Sequence, residues 1–118
     1  MAILAMPLFL IEGLDVSSYE SLDDLILFVE PVDIRNQEYF MSDAEGRRIF
    51  LAAGRKKTLW GEIEVVQVDR IDETSTHSCE LAVLLGAFLE YHGIDDRWVQ
   101  RATLKELVDK ACAVLKYG

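Results

Sequence analysis

The feature that most restricts this fold is a change of hydrophobic period close to residue 70. From Leu59 to Val68, Glu62, Glu64 and Gln67 punctuate apolar positions, as in a strand with one wet face. Beyond Asp69–Thr74 the period lengthens to about 3.6 residues. Cys79, Ala82, Val83, Leu85, Gly86 and Leu89 then fall near one stripe, which Leu81, Leu84 and Phe88 widen. A strand pattern followed by a helix pattern, within a length that supports one core, excludes all-α and all-β solutions.

The rest of the chain fits the same scheme. Residues 3–11 form an apolar strand; Pro7 suggests an edge or a bend, while the weak alternation suits burial on both faces. Ser21, with Asp23 and Asp24 behind it, is an N-cap signal for a helix from about Leu22 to Glu30, stopped by Pro31. Residues 38–42 and 47–52 are predicted to pair as a hairpin, with Gly46 supplying a positive φ and Asp43 bonding its own backbone. A second hairpin turn is expected at Gly54–Lys57. Ser75 or Thr76 would cap the helix that follows, and Gly93 would end it. Asp95 and Asp96 precede a helical turn or connector with Trp98, and Thr103 to Glu106 is a capping box for a last helix. The expected architecture is a single α+β domain over residues 1–118. It holds an antiparallel sheet in β-α-β-β-β-α-α order, with helices packed on one face.

Composition narrows the function. The 118 residues carry 21 acids and 12 bases, a formal net charge of −9. Residues 1–45 hold ten acids and one base, Arg35, whereas residues 46–118 hold eleven of each, so the first part of the chain carries the whole excess. Such an asymmetry steers basic partners and disfavours nucleic acid; a merely solvated acidic surface is the plain alternative. Cys79 and Cys112 lack the spacing of a zinc site or disulfide framework and are expected to be buried small hydrophobes in a reducing compartment. Met1–Ile11 has neither the basic start nor the cleavage pattern of a signal peptide, and no apolar run reaches membrane-span length. A soluble, cytoplasmic protein is expected, without a membrane partner.

Catalytic signals are sparse. His77 and Cys79, two residues apart on a helix, point to different faces and do not share a proton easily. Asp69/Asp72/Glu73, Asp23–Asp24 and Asp95–Asp96 lack calcium-loop or di-metal spacing, and Gly54–Lys57 is not a phosphate loop. Tyr39, Phe40 and Phe50 fit cross-strand packing better than base stacking. No enzyme class, metal or cofactor is implied.

Three segments carry a family resemblance: Leu14–Leu25, Val32–Tyr39, and Ser42 to Arg47 with its Asp-Ala-Glu-Gly-Arg turn. Across roughly residues 14–52 the chain resembles small acidic immunity proteins of bacterial polymorphic-toxin and contact-dependent inhibition systems. The resemblance implies a protein without chemistry of its own that binds a cognate toxin domain, such as a basic nuclease, and occludes it. Asp15, Glu20, Asp23, Asp24, Glu30 and Asp33 would form the partner-binding surface, with Tyr19 and Trp60 as aromatic anchors. A different class remains open: a small acidic adaptor, or a homo-oligomer that uses its apolar N-terminal strand. A small-molecule site in a helix–sheet cleft near His77 and His92 is a third.

Overall fold

A computed structural model describes residues 3–29 and 39–117. In chain order the elements are β1 (Leu8–Glu12), β2 (Asp15–Tyr19), α1 (Leu22–Phe28), β3 (Phe40–Ser42), β4 (Ile49–Thr58), β5 (Gly61–Ile71), α2 (Ser78–Tyr91), α3 (Asp96–Arg101) and α4 (Leu104–Tyr117). The α+β class and the antiparallel geometry stand, but the expected hairpin of residues 38–42 with 47–52 is reduced to an isolated Ser42–Arg48 bridge, because β3 pairs with β1 and β4 with β5. Two short elements, β2 and α3, add to the expected order.

β1 lies at the centre of a three-stranded sheet ordered β2-β1-β3, and its first four residues are buried. Weak alternation was therefore the better guide to β1, and Pro7 precedes the strand rather than marking an edge. One face of the sheet offers Phe9, Ile11, Val16 and Phe40 to Leu81, Leu85, Phe88 and Leu89 of α2 and to Leu107, Val108 and Ala111 of α4. This is the expected helical layer. The opposite face carries Leu8, Leu10 and Met41, packed with Leu25 and Val29 from α1 and its end and with Ile49 at the root of β4. Fully burying each such aliphatic side chain contributes about 1.5–3 kcal/mol, so both layers matter.

β4 and β5 form a separate two-stranded ribbon, joined to the first sheet through an isolated Ser42–Arg48 bridge. Its root is fixed by stacking: the Arg48 guanidinium lies 5.1 Å from the Phe40 and Phe50 ring centres, and that of Arg70 lies 4.1 Å from Phe50. Leu51, Val66 and Ile71 tuck against the second core layer, whereas residues 55–64 are exposed. The turn falls at Leu59–Trp60, between paired Thr58 and Gly61, and not at Gly54–Lys57. Thr58 closes it: Oγ1 accepts from the Trp60 N–H at 3.2 Å and donates to the Gly61 carbonyl at 2.8 Å. That bonding pattern moves the turn beyond the basic run.

Local bonding explains the helix boundaries. Ser21 Oγ accepts from the Asp24 N–H at 3.1 Å, Asp95 Oδ1 from Arg97 at 2.8 Å, and Thr103 and Glu106 make both bonds of a capping box. Glu106 and Asp95 are held below the usual carboxylate range chiefly by the backbone N–H groups they accept from. For α2 the expectation fails. Its N-cap is His77, which makes no side-chain cap bond; Thr76 instead bonds Asp72 at 3.2 Å.

The turn after β3 is tied down by Asp43, whose side chain is 0% exposed. Its carboxylate accepts from the backbone N–H groups of Ala5 (3.0 Å), Glu45 (2.9 Å) and Arg47 (2.9 Å) and from the Arg47 guanidinium (3.1 Å). These four donors give the buried carboxylate the hydrogen bonds that burial of a polar group requires. Gly46, at φ 89°, accepts through its carbonyl from the His77 N–H at 3.1 Å and thereby seats this turn on the start of α2.

Candidate functional site

Two concave surfaces meet at the β1–β2 turn. Gly13, at φ 60°, lets this turn close in two residues and sets Glu12 directly opposite Asp15. Like charges facing each other across a strand pair are unfavourable. Neither carboxylate has an ion-pair partner among the described residues. Asp15 borders two hollows. On the α2/α4 side a cleft of about 370 Å³ is lined by Leu14, Val16, Phe88, Tyr91, His92, Val114 and Leu115. On the opposite side a hollow of about 250 Å³ is lined by Leu10, Glu12, Ser17 and Tyr39.

The end of α2 organises the aromatic wall. His92 is its C-cap, its N–H shared between the Phe88 and Leu89 carbonyls at 3.1 Å, and Gly93 follows at φ 89°. The imidazole consequently lies 4.5 Å from the Phe88 ring centre and 5.4 Å from that of Tyr91. Carboxylates beside aromatic faces suit a cationic side chain, which gains from both.

The expected site residues separate into groups. Asp15 is at the cleft. Tyr19 lies at the other end of β2, four residues and about 13 Å along the strand, with its ring 5.5 Å from Phe28. Glu20, Asp23 and Asp24 are exposed beside it at the start of α1, without ion pairs among the described residues. Glu30 and Asp33 fall outside the described residues. Trp60 is set apart at the ribbon tip; β4 has nine residue steps from root to tip, about 30 Å. Glu12, Tyr91 and Leu59 were not singled out from sequence. The Glu12-Gly13-Leu14-Asp15 turn was the available signal for the first, since a Gly at a two-residue turn pairs the residues that flank it.

A second polar cluster joins Asp72, Thr76 and His77. Asp72 Oδ2 lies 3.2 Å from His77 Nδ1, and Thr76 Oγ1 lies 3.3 Å from that same nitrogen. In a nucleophile–base–acid relay the hydroxyl and the carboxylate use opposite imidazole nitrogens. Here they share one, which is the layout of a loop clasp. The cysteines also differ from expectation. Cys79 is exposed, because its place on α2 lies off the packed stripe of Leu81, Leu85 and Leu89. Cys112 is half-buried, and its thiol is pushed up first by burial and then by the charges of Asp109 and Glu20.

No group of three or more metal-ligating side chains occurs among the described residues, and no helix there is long and apolar enough to cross a membrane. Comparison with protein-family models, curated proteins and solved structures gives no match.

Proposed function

We propose that this chain is a cytoplasmic, non-catalytic binding protein that neutralises a cognate toxin domain by covering it. The observation that carries this reading is the unpaired Glu12–Asp15 opposition at the mouth of two hollows. An arrangement that is unfavourable in the free chain becomes favourable when a partner supplies a lysine or arginine. Glu20, Asp23 and Asp24 extend the same negative potential along β2 to α1, with Tyr19 at its border. A basic toxin domain would meet this side first, with encounter accelerated toward about 10⁸ M⁻¹s⁻¹ at low salt. The resemblance of residues 14–52 to immunity proteins supports the same conclusion.

The test is co-expression with the toxin domain encoded beside this chain's gene. Restored growth and a one-to-one complex are expected. Neutralising Glu12, Asp15, Asp23 and Asp24 together to the amides should slow association about 10–100-fold at low salt and change dissociation far less. A neighbouring toxin that this chain neither binds nor restrains would overturn the proposal. The adaptor or homo-oligomer reading loses the N-terminal strand as its means, since β1 is central and buried, and is favoured instead by the uncovered ribbon tip.

A further inference from the structure

The tip of the β4–β5 ribbon carries the two most exposed large apolar side chains among the described residues. Leu59 is 98% and Trp60 96% exposed, side by side in a turn that Thr58 closes. Isolated two-stranded ribbons are marginal in water, and adjacent exposed Leu and Trp add an unfavourable hydrated surface. The exposures show that the chain's own body does not cover the tip. Arg55, Lys56 and Lys57 lie just behind it; Arg55 reaches Glu62 at 3.4 Å, while Lys56 and Lys57 have no ion pair among the described residues. The tip therefore pairs an apolar point with two uncommitted positive charges.

The surface complementary to it is on the same chain. The cleft beside Leu14, Tyr91 and Leu115 is apolar within and holds about 370 Å³, inside the range of roughly 300–1,000 Å³ that receives small ligands. Its edge carries Asp15, which has no ion-pair partner among the described residues. We propose that the Leu59–Trp60 tip of one copy docks in this cleft of a second copy, with the Lys56–Lys57 pair set against Asp15. A packed tryptophan buries roughly 150–250 Å², so one tip alone falls short of the roughly 1,200 Å² of a stable interface. Reciprocal exchange of both arms doubles the contact to roughly 300–500 Å² and closes the assembly, which makes the dimer a weak one, below the size of a stable interface.

The test uses this chain alone, so its outcome is separate from that of toxin neutralisation. Sedimentation of the wild type near 100 µM should give a dimer that weakens with added salt. Trp60→Ser and Asp15→Lys should each be monomeric there, their dissociation constants raised at least 10-fold, with unchanged circular dichroism. Mixed together, the two variants should recover a one-to-one complex, because one keeps a cleft and the other a tip. A monomeric wild type, a dimer that survives Trp60→Ser, or failure of the mixed pair would overturn the inference. So would a monomeric chain whose Trp60-dependent binding appears only with vesicles of anionic lipid.

Discussion

Gly46 is where local conformation and tertiary contact can be separated by one methyl group. A Cβ there would lie 2.4 Å from both Cα and N of Ser78 and 2.8 Å from the His77 carbonyl carbon. Ordinary van der Waals contact begins near 3.4 Å, so the obstructing backbone must retreat by about 1 Å. That backbone is the first turn of α2, which packs Leu81 and Leu85 into the core. Gly46→Ala therefore carries two costs. The left-handed φ of 89° costs an alanine about 1 kcal/mol, and overpacking against an anchored helix adds about 1–3 kcal/mol. Gly13→Ala is the control, since its φ is 60° but nothing lies within 4 Å of the added carbon. Urea unfolding followed by circular dichroism should show Gly46→Ala destabilised by about 2–4 kcal/mol and Gly13→Ala by about 1 kcal/mol. On a domain whose total is about 5–15 kcal/mol, the difference is readily measured. Equal losses at the two positions would refute the seating of this turn on α2.

Thiol chemistry should distinguish the two cysteines. Cys79 should react with a maleimide or disulfide reagent rapidly in the native state, whereas Cys112, shielded and with its thiol pushed up, should react at least 10-fold more slowly at pH 7.5 until the chain unfolds; equal native rates would contradict that burial. The lowered Glu106 carboxyl gives a pH prediction. A carboxylate with a depressed folded value stabilises above its unfolded value of about 4.3 and loses that contribution as pH falls through the folded value. Glu106→Gln should consequently flatten the acid limb of thermal midpoint against pH below about pH 4.3, and a slope unchanged from wild type would refute the capping role.

What the sequence displayed and what it concealed follow one physical division. Interactions confined to a few residues were legible: the Ser21 cap, the Thr103–Glu106 box, the positive φ of Gly46 and the helix stop at Gly93. Features decided by distant contacts were not. β2, with Asp15, Ser17 and Ser18 among its five residues, has little intrinsic strand character and exists because β1 pairs along it. The ribbon turn was hidden because Leu59 and Trp60 are not turn formers, and a threonine hydroxyl supplies the closure that Asn-Gly usually provides. The acidic asymmetry was plain in composition. Its division between the cleft end and the α1 end of β2 depends on the β1–β2 register.

The central position of β1 has a consequence for how the molecule comes apart. Phe9 and Ile11 belong to the layer beneath α2 and α4, while Leu8 and Leu10 belong to the layer beneath α1. A single span of backbone is thus the shared wall of two interiors, and losing it empties both at once. Damage on either side is transmitted through five residues, so the two layers should lose their packing together on heating.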